Sequence, residues 1–292
     1  MDNEKILKAG RIAKEVVEFA KSIIKKDKSL LEIAEDIENK VFELGGEPAF
    51  PVNLSINSVA AHFTPFHDDK TLAYGLLKVD IGVHVQGNIA DTAFSIDLEN
   101  SEVNKKLILS TENALQEAIK ISKNGISVNE IGKKVTETIE AEGFSPIVNL
   151  GGHGLKEYEA HAEPFIPNVD NHDLTKLKNG LFAIEPFATN GNGRVHDGQP
   201  HGIYILMNNK NIRSPIAREV LKFIEEEYPT LPFASRWIVK KFGAKALFGL
   251  NQLEQNENIH HFPQLIETGK GIVAQAEHTI LINNQEVKVT TR

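Results

Sequence analysis

Cysteine is absent from the 292 residues, tryptophan occurs once and methionine twice. Without cysteine there are no disulfides, no thiolate nucleophile, no iron–sulfur cluster and no Cys-based zinc site. Any metal site must then be built from His, Asp and Glu. No apolar run approaches the roughly 18–20 residues that a membrane-spanning helix needs. The start, Met1-Asp2-Asn3-Glu4-Lys5, lacks the basic and apolar regions of a secretory signal. These absences predict a cytoplasmic protein with no membrane partner. Positive charge is also in deficit, with 40 acidic against 32 basic residues and a formal charge of −8. DNA is therefore a poor match as main ligand. The 41% hydrophobic and 25% charged content fits an ordinary globular chain with a full core.

Helical spacing runs through Ile6, Leu7, Ala13, Val16, Val17, Ala20 and Ile24. Ser29-Leu30-Leu31-Glu32 has the form of a capping box opening a second helix, which Gly45-Gly46 ends. The same grammar returns later. Leu115 to Ile121 closes one helix, Ser127-Val128-Asn129-Glu130 opens another, and Gly143 ends it. Pro51-Val52-Asn53-Leu54 is echoed by Ile147-Val148-Asn149-Leu150, and Gly75 to Asp80 by Gly180 to Glu185. This order predicts one duplicated domain over residues 1–292, two helix–helix–strand halves about a pseudo-two-fold axis. Asp80 and Glu185 would then occupy matching strand positions. Ser214-Pro215 and the apolar residues to about Tyr228, then Phe233 to Phe242, have no counterpart in the first half. They predict a helical insertion at 210–260. Gly271 to Ile282 reads as strand.

Leu77 to Ile96 reads as a β-hairpin. A four-residue loop, His84-Val85-Gln86-Gly87, would put Asp80 directly opposite Asp91, with Cβ atoms roughly 4.5–5.5 Å apart. Carboxylates so close repel unless one is protonated or a cation lies between them. Glu185 and Glu277 stand in apolar strand-like runs, where an acid needs a partner or a metal. His153 lies in Gly151-Gly152-His153-Gly154, where small neighbours permit close approach. Four carboxylates and an imidazole suit two divalent first-row metals. The glycine run also fits an oxyanion loop, but no Gly-x-Ser-x-Gly elbow accompanies it.

In these contexts the chain resembles the methionine aminopeptidases, metal-dependent enzymes of the α+β pita-bread fold. The matching stretches are Phe50 to His62, Asp80 to Asp91, Gly152 to His161, Ile184-Glu185-Pro186-Phe187 and Ala274 to Thr279. The insertion before Glu277 is similar to the type II form of archaea. Ala276 departs from the pattern, since many relatives carry a bulky aromatic there. The resemblance implies that Asp80, Asp91, His153, Glu185 and Glu277 hold two divalent ions, Co, Mn, Fe or Zn. It further implies Glu185 as proton acceptor, His161 at the oxyanion and His62 at the leaving amide. Phe50, Pro51 and Phe187 would line the methionine pocket, with His201 at its rim. The substrates would be N-termini of nascent polypeptides.

Taken as residues alone, His62 and His161 also read as core or capping histidines, and Phe50 and Phe187 as core aromatics. His196, His201, His260 and His261 read as surface histidines. Arg236, Lys240, Lys241 and Lys245 form a basic helical face, either solvated or a dock for ribosomal RNA. The absence of an exposed apolar heptad predicts a monomer. Proline dipeptidase or aminopeptidase P activity is the competing enzymatic reading; such enzymes usually carry an additional N-terminal domain. A binding protein of the same fold is the non-enzymatic one.

Overall fold

The computed structural model describes residues 2–284 and 286–292. Helix α1 (Asn3–Ile23) starts at Asp2, whose carboxylate accepts from the Glu4 and Lys5 N–H groups at 3.1 and 3.3 Å. Helix α2 (Leu30–Glu43) starts at Ser29, whose hydroxyl accepts from the Glu32 N–H at 3.4 Å. Helices α3 (Glu102–Ile121) and α4 (Val128–Ala141) repeat the pair, and the Glu130 carboxylate reaches back to the Ser127 N–H at 3.1 Å. Such caps satisfy the free donors of the first turn.

The duplication is visible in the backbone. In the first half Leu30 N–H donates to Thr71 O at 2.9 Å and Ala73 N–H to Lys28 O at 2.8 Å. In the second, Val128 N–H donates to Thr175 O and Leu177 N–H to Ile126 O, both at 2.9 Å. Each half thus pins the start of its second helix to the segment leading into a strand of the large sheet, Leu76–Val85 or Gly180–Ile184. The echo breaks at residues 147–150, which form a turn, not a strand.

The large sheet runs Glu47–Pro48, Leu76–Val85, Asn88–Asp97, Glu277–Asn283, Gly180–Ile184, Gly151–Lys156, Glu159–Pro167, with Asn53–Ile56 and Glu286–Val289 paired beside this path. The apolar stripe of α1 and α2, including Val16, Ile33 and Ile37, packs with Leu54, Val79 and Ile81. That of α3 and α4, including Leu115, Ile131 and Ile139, packs with Phe182 and Ile280. Residues 271–282 do not form one strand. Val273–Gln275 belongs to a three-stranded sheet with Phe187–Thr189, whereas Glu277–Asn283 belongs to the large sheet. The chain crosses between sheets at Ala276.

Helices α5 (Pro215–Glu227), α6 (Ser235–Phe242) and α7 (Lys245–Gln255) share a core of Val220, Ile224, Phe233, Ile238, Leu250 and Leu253. The paired strands Val195–Leu206 and Ile259–Glu267 carry them. Arg236 does not belong to a solvated basic face. It is buried and paired with Glu38, so only the three lysines of that set are exposed.

Candidate active site

The hairpin turn is tighter than a four-residue loop. Val85 pairs with Asn88 across Gln86-Gly87, whose φ values of 49° and 81° suit a type I′ turn. Asp80 therefore faces Ala93, and Asp91 faces Gly82. The two carboxylates are diagonal neighbours on one face, not directly opposed. Diagonal positions stand roughly 7–8 Å apart, which leaves room for a cation between the side chains. A Cβ at Gly82 would collide with the Phe50 ring, so that ring covers the carboxylate-bearing face of the hairpin.

Glu185 and Glu277 owe their position to the sheet crossing. His278 pairs with Ile184 in the large sheet, and Gln275 with Phe187 in the small one. The register continues through the gap and sets Glu185 opposite Glu277, outside regular strand pairing. Glu185 is therefore not inside a strand, as expected from the echo with Asp80, but just past the end of Gly180–Ile184. His153 arrives from the adjacent strand, paired with Ala183. Gly152 lets that strand lie close, since a Cβ there would meet the Ala183 carbonyl.

The five side chains converge. Donor atoms of Asp91, His153 and Glu277 lie within 4.8 Å of one another, as do those of Asp80, Glu185 and Glu277. Glu277 belongs to both groups. Asp80 Oδ1, Asp91 Oδ1 and both Glu277 oxygens are buried without a hydrogen-bond partner. Four orphaned carboxylate oxygens would be costly in an apolar interior. A divalent cation satisfies them, and an oxygen-rich set with one imidazole suits first-row metals.

The electrostatics agree. Burial raises the Asp80 carboxyl to about 7. Burial, then the Asp80 charge, holds Asp91 and Glu185 well above the usual carboxylate range, and burial followed by Asp91 and Glu185 does the same to Glu277. Burial depresses His153 to about 3 and His62 to about 4, so both are neutral at pH 7. Below about pH 6.5 the buried histidines and the raised acids act on stability with opposite signs. Above it, the histidines are neutral folded or unfolded, while the raised acids hold protons only in the folded state. Raising the pH from about 6.5 to 8 should therefore lower the melting temperature of metal-stripped protein. Divalent metal should abolish the fall by replacing those protons. Thermal scans across this range check it.

His161 stays exposed beside His153, ring centroids 4.2 Å apart. His62 has φ of +64°, its buried Nδ1 lacks a partner, and its ring meets Phe262 edge-on at 5.6 Å. Phe50 packs with Ile89, Leu155, Ala160 and Leu231, and Pro51 follows it, also buried. Phe187 lies in a different cluster, with Ala60, Ile147, Val195 and Val273. His201 is not a plain surface residue. It stacks on Phe63 at 4.1 Å and its Nδ1 meets Thr64 O at 2.9 Å. Likewise His261 is half-buried against Tyr204, at 3.9 Å between centroids.

Gln275 was missed by sequence reasoning. Its Nε2 donates to Glu185 at 2.7 Å and Asp80 at 3.3 Å, bracing a carboxylate from each half. Its two-residue spacing from Glu277 was the available signal.

A buried cluster of acids and a neutral histidine, set where two like halves meet, has the donor set of a divalent-metal site. Residues 4–284 match Metallopeptidase family M24. A methionine aminopeptidase of Pyrococcus abyssi is 44% identical over all of both chains. One of Methanocaldococcus jannaschii is 45% identical over 99% of this chain and 98% of its own. The crystal structure of a Thermotoga maritima methionine aminopeptidase superimposes with a TM-score of 0.71 at 22% identity, covering 99% of this chain and 96% of that one. The chain belongs to metallopeptidase family M24 and has its α+β pita-bread fold.

Proposed function

We propose that this chain is a cytoplasmic, monomeric methionyl aminopeptidase that removes the initiator methionine from nascent polypeptides. The observation that supports it most is the pair of donor groups sharing Glu277, within a chain similar along its full length to methionine aminopeptidases. Asp91, His153 and Glu277 would hold one divalent ion, and Asp80, Glu185 and Glu277 a second. When bound, such ions supply a water of lowered pKa and polarise the scissile carbonyl.

The side chains do the rest. Glu185, held by Gln275 and raised by burial and then by its acidic neighbours, takes a proton from the attacking water and passes it to the leaving amine. His161, exposed beside the cluster, stabilises the oxyanion. His62, neutral and turned by its left-handed backbone, contacts the amide on the leaving side. Phe50, with Ala160 and Leu231 packed against it, forms the apolar wall for the first side chain. Phe187, two positions after Glu185 and buried in a separate cluster, would supply a second apolar wall.

Metal-restored protein assayed on peptides varied at the first two positions tests the reading. Met-Ala-Ser should be cleaved in preference to Ala-Pro and Xaa-Pro-Ala peptides, releasing one residue only. Faster Xaa-Pro cleavage would replace it with proline-peptide chemistry.

A further inference from the structure

The insertion reaches the candidate site through one buried ion pair. Arg236, on α6, is 3% exposed, and Glu38, on α2, is 5% exposed. Arg236 Nη2 pairs with Glu38 Oε1, and Nη1 donates to Thr64 Oγ1 at 2.7 Å and Pro65 O at 3.1 Å. Glu38 Oε1 also accepts from the Val52 N–H at 3.2 Å, and Oε2 from Trp237 Nε1 at 2.8 Å. Thr64 Oγ1 donates in turn to Val52 O at 2.7 Å. Both backbone groups of Val52 and the hydroxyl of Thr64 are thus engaged by one network. Val52 follows Phe50-Pro51, and Thr64 follows His62-Phe63.

We propose that Glu38 and Arg236 are a positioning pair for substrate: they fix the Phe50 segment against the His62 segment and so set affinity for the first side chain. This rests on the reading of Phe50 and His62 as walls of the substrate site. Burying two charges is costly, and apolar replacements are often neutral or stabilising, so such a pair is weak as a stability device. A well-connected network fixes geometry even with Arg236 Nε left buried and unpartnered, as here. The network joins four segments, around Glu38, Val52, Thr64 and Arg236, and the second and third carry candidate substrate contacts.

The test uses the full chain loaded with Mn²⁺, comparing wild type with the double variant Glu38→Gln/Arg236→Met, which leaves no lone buried charge. Metal content should be unchanged and kcat should change little. KM for Met-Ala-Ser should rise roughly 10- to 100-fold, the scale expected when a remote change misplaces substrate. Arg236→Lys should recover part of it, because an ammonium neutralises Glu38 without the fork that spans Thr64 and Pro65. An unchanged KM per folded, metal-loaded molecule, even with a lower melting temperature, would overturn the proposal. Phe50→Ala separates the two readings. If it raises KM while the double variant does not, the positioning pair fails and the pocket stands. If neither variant raises KM, the pocket assignment fails as well.

Discussion

In the Glu277→Gln variant, kcat/KM for Met-Ala-Ser should fall on the order of 10³-fold or more, and metal content should drop from about two ions per chain to fewer than one. The magnitude follows from the metal's contribution. Charge stabilisation worth about 4 kcal/mol, at 1.36 kcal/mol per tenfold in rate, is a thousandfold. The choice of residue follows from geometry, because Glu277 is the member common to both donor groups and both its oxygens lack other partners. An amide of the same shape offers one acceptor and no charge. Loss of a residue belonging to one group alone should be milder in metal content. Equal metal content and activity in Glu277→Gln would remove the shared role.

The His161→Ala variant should behave differently. Metal content should stay at the wild-type level, while kcat falls roughly 10²- to 10³-fold, the cost typical of one lost oxyanion donor. His161 is the exposed ring beside buried His153 and lies in neither donor group, so its loss opens no ligand position. Steady-state kinetics with elemental analysis of the same sample decides it. Parallel loss of metal and activity would make His161 a ligand.

Much of this arrangement was legible in the sequence, because it depends on local chemistry. The cap serines Ser29 and Ser127 mark both second helices, and the even-odd rule of a strand places Asp80 and Asp91 on one face whichever even turn closes the hairpin. The register itself is less legible, since Asp80 faces Ala93 and not Asp91. Gln86-Gly87 supplies the two left-handed residues of a type I′ turn, but glutamine is a weaker signal there than the usual Asn or Asp. Phe187 follows the crossing at Pro186 into a cluster separate from that of Phe50, a partition that no local pattern reports. Arg236 was read as one of four basic residues on a helix. Its partner Glu38 lies 198 positions away, and no local pattern reports such a pair. Lys78 is a similar case: a buried lysine on the strand of Asp80 that donates to the Asn57 and Val273 carbonyls at 2.9 and 3.0 Å, the latter on the strand of Gln275.

Titrating metal-stripped protein with Mn²⁺ while measuring methionine release from Met-Ala-Ser bears most directly on the metal-dependent centre. The account predicts negligible release without metal and recovery in step with occupancy of the Asp80, Asp91, His153, Glu185 and Glu277 cluster. Full methionine release from protein shown by elemental analysis to hold no metal would contradict it.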